Sequence, residues 1–202
     1  MDSRLARLFK RPTLEVAPRL LGRVIARLMK DGRVLRCTFA EVEAYHESEP
    51  GSHAYHGVTR RNAAMFGPPG HAYVYFVYGM YYCLNITTER EAEGAAILVR
   101  GLLPPEDERE LRLTGPGLIC KNLDIDRARH NGLDLLDDGN GQLWLEWGRG
   151  APAKDVIAAP RVGLSERQAP DLPWRFSLRG WKHGKGLADD GAAASRRRFR
   201  GL

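Results

Sequence analysis

The sequence predicts a single α+β domain, and three observations carry that prediction. β-rich runs are broken by short turns built on Lys30-Asp31-Gly32 and Gly79-Met80, the mark of hairpins. Helix-forming stretches flank these runs. Neither an internal repeat nor a linker interrupts the 202 residues, a length that fits one domain.

The first element is a helix over 13–21, with Leu14, Ala17, Leu20 and Leu21 on one face despite Pro18. Strands follow over 23–29 and 34–44, joined by the Asp-Gly turn. Residues 47–69 are rich in Gly, Pro, His and Arg and predict a long irregular surface segment, the kind that carries function or stays disordered. The runs 73–78 (YVYFVY) and 81–87 (YYCLNIT) form a second hairpin, and 95–102 is a further strand. A charged helix is predicted over 104–113 and a short one, opened by Gly-Pro-Gly, over 115–123. A polar turn spans 131–141. Short strands are placed at 143–146, 161–164 and 175–178. Residues 188–202 read as a disordered basic tail, leaving 1–187 as the folded domain.

Composition excludes several classes. No run of eighteen apolar residues occurs, so no membrane-spanning helix is expected. The N-terminus is basic without an apolar stretch, unlike a secretory signal. Cys37, Cys83 and Cys120 are far apart with no CxxC pair, which reads as reduced thiols in an intracellular protein. Net charge is +6 with a pI near 9.4. Arginine dominates the bases, 25 against 6 lysines, and its planar fork suits phosphate. This balance points to a polyanion, either nucleic acid or an anionic membrane. An Arg-rich proteome would give the same balance with no such partner.

Three clusters invite chemistry. Five of seven tyrosines fall within 73–82, as good β-formers or as a base-stacking platform. Glu41 and Glu43 lie on one strand face by period two. They form a solvated face, supply a general base, or pair for glycoside hydrolysis. The last reading calls for sugar-stacking Trp nearby, yet all four Trp (144, 147, 174, 181) lie in the last third of the chain. His53 and His56 have HxxH spacing without a matching Cys or carboxylate motif, so a pocket hydrogen bond fits better than a metal. Walker A, GxSxG and HExxH are absent.

FAEVEAY (39–45), SHAYHG (52–57), RNAAMFGPPGHAYVYFVYGMYYCLN (61–85), ILVRGLLP (97–104) and GPGLICKNLDI (115–125) together resemble the alkyladenine DNA glycosylases, the methylpurine type of 3-methyladenine DNA glycosylase. The resemblance runs from about residue 13 to about 179. It implies a curved, largely antiparallel sheet with surrounding short helices. It implies a monofunctional enzyme that flips damaged purines (3-methyladenine, hypoxanthine or ethenoadenine) from double-stranded DNA and hydrolyses the N-glycosidic bond in base excision repair. It implies no cofactor, no metal and no membrane partner; we expect a monomer. A non-catalytic nucleic-acid-binding module on the same fold is the alternative.

Residue by residue, the resemblance makes Glu43 the general base and has Arg100 help hold the attacking water with a backbone carbonyl near Val162. Tyr45 and Tyr75 stack on the two faces of the base, His53 hydrogen-bonds the nucleotide, and Asn85 lines the pocket floor. Tyr78 is the wedge that replaces the flipped nucleotide, with Met80 and Tyr81 in the groove beside it. Arg60, Arg61 and Lys121 contact the DNA backbone. Leu118 stands where members often carry a base.

Overall fold

The computed structural model describes residues 2–77 and 79–182, and the backbone of 186 and 187. Tyr78 and the expected tail at 188–202 lie outside the described residues. Helices α1 (Ser3–Phe9) and α2 (Thr13–Leu20) precede strands β1 (Val24–Leu28), β2 (Val34–His46), β3 (Ala72–Val77), β4 (Tyr81–Thr87) and β5 (Ala95–Leu103). Then come α3 (Pro116–Asn122), α4 (Arg127–His130), β6 (Leu143–Glu146), β7 (Val156–Ala159), β8 (Arg175–Leu178), β9 (Trp181–Lys182) and β10 (Gly186–Leu187).

Among the described residues, eight strands form one sheet in the order β3-β4-β5-β2-β1-β6, with β8 on β2 and β7 on β8. The pairings are antiparallel. The α+β expectation and the antiparallel sheet hold. The thirteen-residue β2 is the spine, pairing first with β1 and then with β5 and β8.

Strand alternation divides the side chains between two faces. Val74, Leu84, Ile86, Ile97 and Val99 point to the main core, where Phe9, Val16, Leu20 and Ile119 cover them from the helices. On the other face Tyr73 and Ala96 meet Ala54 and Met65 from the segment between β2 and β3. That segment roofs the second face and leaves a cavity beneath it.

A β-bulge decides what β2 contributes. Its pairing with β5 shifts register between Phe39 and Glu41 and again between Glu41 and Val42. Before the bulge the odd positions Leu35, Cys37 and Phe39 enter the main core; after it the even positions Ala40, Val42 and Ala44 do. A regular strand would aim Glu41, Glu43 and Tyr45 into the apolar core. The extra residue turns them to the opposite side instead, Tyr45 into the cavity wall, Glu43 behind it and Glu41 onto Trp181 and Arg175.

Several expectations need correction. In α2 the buried positions are Thr13, Val16, Ala17 and Leu20, a clean i, i+3, i+4, i+7 stripe. Leu14 is 41% exposed and off that stripe, while Thr13 Oγ1 donates to Glu89 at 2.6 Å. The predicted helix at 104–113 is only a 3₁₀ turn, Glu106–Glu108. Its end returns extended along β5, where the Leu102 N–H donates to the Leu113 carbonyl at 3.0 Å; only Leu113 of that stretch is buried, so a helix would have no apolar face to dock. The strand expected at 161–164 forms earlier, as β7. Pro160 cannot continue the ladder, and Gly163 takes φ +82°. Helices α1 and α4 went unread.

Candidate active site

Four adjacent strands set one row of side chains across the second face. Tyr73 on β3 opposes Asn85 on β4, Asn85 opposes Leu98 on β5, and Leu98 opposes Glu43 on β2. Tyr75 opposes Cys83 in the next row. Above the sheet lies a cavity of about 340 Å³, lined among others by Tyr45, His53, Tyr75, Asn85, Arg100 and Val162, a size usual for small-molecule sites. Six residues expected in the base pocket or catalytic site therefore converge.

Glu43 lies behind this wall, 0% exposed. Three donors hold it. The Val162 N–H reaches Oε1 at 2.8 Å. The Tyr45 hydroxyl and Arg100 Nη1 reach Oε2 at 2.8 and 3.1 Å. Burial, then the charge of Glu43, raises the Tyr45 phenol well above its ordinary value, so Tyr45 keeps its proton and donates. A carboxylate offers about four acceptor positions; three are taken. Arg100 Nε is buried with no hydrogen-bond partner among the described residues.

The aromatic wall is braced from both the roofing segment and the sheet. The His53 ring stands edge-on to Tyr75 at 4.5 Å, and Tyr73 tilts against Tyr75 at 5.6 Å. His53 Nδ1 and the Tyr73 hydroxyl lie 3.1 Å apart. Burial pushes the Tyr73 phenol up to about 12. His56 does not join His53: it is exposed and packs edge-on against Tyr55.

Burial, then the charge of Arg61, lowers the His53 pKa below 6.5. The imidazole is therefore neutral at neutral pH and does not repel a cationic guest. Because the folded value is depressed, the unfolded chain takes up this proton first as pH falls, so His53 subtracts stability progressively below about pH 6.5. An NMR titration should place the His53 midpoint below 6.5; a midpoint above it would contradict a neutral ring desolvated by its contacts with Tyr73 and Tyr75.

Glu41 has a separate environment. It is 0% exposed, accepting from Trp181 Nε1 at 2.8 Å and Arg175 Nη1 at 3.1 Å. Distance along the chain misjudged the tryptophans, since Trp181 folds directly onto Glu41. It meets the carboxylate through its N–H as a buried anchor, 8% exposed, and offers no open face to a sugar. The paired-carboxylate reading ends there.

Residues 7–182 match the family Methylpurine-DNA glycosylase (MPG). This chain belongs to that family. Relatives named "Putative 3-methyladenine DNA glycosylase" include one from Synechococcus sp., 42% identical over 84% of this chain and 92% of the relative. One from Streptomyces avermitilis is 43% identical over 83% and 84%, and one from Methanocella arvoryzae is 42% identical over 83% and 88%. The chain is thus a DNA glycosylase by family, and its substrate is DNA. Among the described residues, no helix is long and apolar enough to cross a membrane.

The residues expected on the DNA side of this glycosylase lie outside the cavity. Met80 and Tyr81 are 65% and 40% exposed next to the β3–β4 turn. Arg60, Arg61 and Lys121 are exposed. Arg61 lines an open groove that shares His53, Tyr73, Tyr75 and Val77 with the cavity, whereas Arg60 and Lys121 line neither. Arg127 lines the same groove, and sequence reasoning missed it. It also missed Met65, Cys83 and Gln168 in the cavity wall. Asp126 could have flagged Arg127, because it caps α4 and so fixes where that basic turn begins.

Proposed function

We propose that this glycosylase binds a damaged purine, flipped from double-stranded DNA, in the cavity between Tyr45 and Tyr75 and hydrolyses its N-glycosidic bond with Glu43. The observation that supports this most is the Glu43 carboxylate, set by three donors at the wall of an aromatic cavity. The C1′–N bond breaks with its electron pair leaving on the purine. Water forms the new bond to C1′ and gives its proton to Glu43, which also stabilises the positive charge developing on the sugar. Arg100 helps hold that water, together with a backbone carbonyl near Val162. Stacking against two tyrosines adds cation–π attraction, roughly 0.5–2 kcal/mol, for an alkylated purine carrying positive charge. His53 hydrogen-bonds the nucleotide. Asn85, whose amide donates to the Tyr73 carbonyl at 3.1 Å, forms the floor and disfavours a purine 2-amino group. Arg60, Arg61 and Lys121 grip the DNA backbone. The enzyme acts as an intracellular monomer in base excision repair.

Duplexes bearing single 3-methyladenine, hypoxanthine or ethenoadenine residues test this. Release of free base with an abasic strand product is expected from at least one of them. Release from none would remove the reading. Borohydride should trap no covalent adduct, because a lyase step needs an amine nucleophile and, among the described residues, Lys10, Lys30, Lys121, Lys154 and Lys182 all lie outside the cavity lining.

Tyr78 acts as the wedge. Its neighbours support this, since Phe76, Met80 and Tyr81 are all at least 40% exposed. Extruding a base costs a few kcal/mol, which a wedge offsets by filling the gap. Tyr78→Ala should therefore lower excision from duplex far more than from single strands. Equal losses on both would assign Tyr78 to the pocket or the fold.

A further inference from the structure

Two of the three donors that hold Glu43 converge on one side chain that never touches the cavity. Arg161 is the chain neighbour of Val162, whose N–H donates to Glu43 Oε1. Its guanidinium also lies over the Tyr45 ring, 4.6 Å from the centroid, and the Tyr45 hydroxyl donates to Oε2. Arg161 Nη1 further donates to the Ala44 carbonyl at 3.1 Å, the residue between Glu43 and Tyr45. Arg161 thus grips the backbone just past Glu43, seats one donor's ring and carries the other donor on its own peptide.

The anchor for this arrangement is Glu49. Arg161 Nη1 and Nη2 reach its two carboxylate oxygens at 2.6 and 2.8 Å, a bidentate fork with side chains 0% and 5% exposed. Trp174 packs on the guanidinium at 5.2 Å. The loop backbone is drawn close: a side chain at Gly51 would meet Glu49 Oε2 at 2.9 Å, the Gln168 carbonyl at 2.9 Å and Arg161 Nη2 at 3.1 Å. The pair therefore ties the loop carrying His53 to the segment carrying Val162.

A buried ion pair is poor evidence for stability, because desolvation offsets most of its attraction and apolar replacements are often as stable. A strut needed only for stability could be apolar. What an apolar pair cannot do is fix a plane against a ring, a carbonyl and a carboxylate at once. We propose that Arg161, anchored by Glu49, is a positioning residue for Glu43, setting its Val162 and Tyr45 donors. This rests on the reading of Glu43 given above.

The test compares wild type, Glu43→Gln, Arg161→Lys and the double variant Glu49→Leu/Arg161→Met. Each is assayed for thermal unfolding, affinity for undamaged duplex and single-turnover base release. The double variant keeps apolar bulk in place of the charges and is expected to unfold within a few degrees of wild type. Its affinity for undamaged duplex should stay within about twofold while base release falls roughly 10–100-fold, the scale of an ångström-level misplacement. Arg161→Lys keeps the charge but loses the fork, and its release should also fall at least roughly tenfold. Release within twofold of wild type in either folded variant overturns the proposal. So does a loss of release matched by an equal loss of duplex affinity, which a merely structural role would produce. If the double variant does not fold, Arg161→Lys decides by the same criteria. Glu43→Gln separates the two layers: an active Glu43→Gln defeats the reading of Glu43, whereas an inactive one beside normal Arg161 variants defeats only this inference.

Discussion

Glu43→Gln is expected to lower single-turnover base release by roughly 10²–10⁴-fold, the range for loss of a positioned general base. DNA affinity should be retained, because phosphate contacts made outside the cavity supply most of it. Gln has nearly the same shape but one oxygen fewer. Either the Val162 N–H, on one oxygen, or Tyr45 and Arg100 together, on the other, must then face an amide NH₂. The Tyr45 hydroxyl can rotate to accept; the other two cannot. Some stability is lost as a result, roughly 1–3 kcal/mol for a buried donor left without its acceptor. Urea unfolding checks that the variant remains folded, and rapid-quench excision on a lesion duplex measures the rate. Near wild-type excision would reassign Glu43 to holding Tyr45 and Val162 in place.

Trp181→Ala should be the most damaging substitution for stability, costing about 3–5 kcal/mol by loss of buried volume. A small domain holds only about 5–15 kcal/mol in all. Trp181 belongs to the main core and is 8% exposed. Its six-membered ring rests on Gly101, where an added Cβ would come within 2.3 Å of Trp181 Cζ2. Its Nε1 donates to the fully buried Glu41 at 2.8 Å. Ala would empty that volume and deprive the carboxylate of a donor. Trp181→Phe keeps most of the volume and should lose only the hydrogen bond, about 1–3 kcal/mol to a buried charged group. Denaturant titrations of both variants measure the difference. A loss below about 1 kcal/mol for Trp181→Ala would show that β9 is not part of the cooperative core.

These two residues mark how far the sequence could be read. Glu43 was legible because it stands in a specific motif, and because a carboxylate in an apolar strand calls for a reason. Tyr45, His53, Tyr75, Asn85 and Arg100 were legible in the same way, through short ordered motifs. Trp181 was not, since its partner Glu41 lies 140 residues away and no local pattern joins them. Arg161 and Arg127 were missed for a related reason: each is one of 25 arginines, and only its surroundings set it apart.

Local chemistry fixed the hairpin at Asp31-Gly32, the antiparallel pairing of β3 with β4, and the alternation that sends Val74, Leu84 and Ile86 one way and Tyr73, Tyr75 and Asn85 the other. Those are properties of turn residues and of a two-residue period, both complete within a few neighbours. The tertiary structure alone decided which face Glu43 would take. Period two counted along β2 from Leu35 puts Glu43 on the same side as Cys37 and Phe39; the bulge at Phe39–Val42 reverses that side. A bulge is settled by what pairs with the strand. Here β5 pairs with β2 on both sides of the irregularity, Phe39 with Leu102 and Val42 with Val99, and between them Ala40 is left without a β5 partner. That residue carries Glu43 out of the core and under Tyr45, Arg100 and Val162, where the surrounding donors give a buried carboxylate the hydrogen bonds it needs.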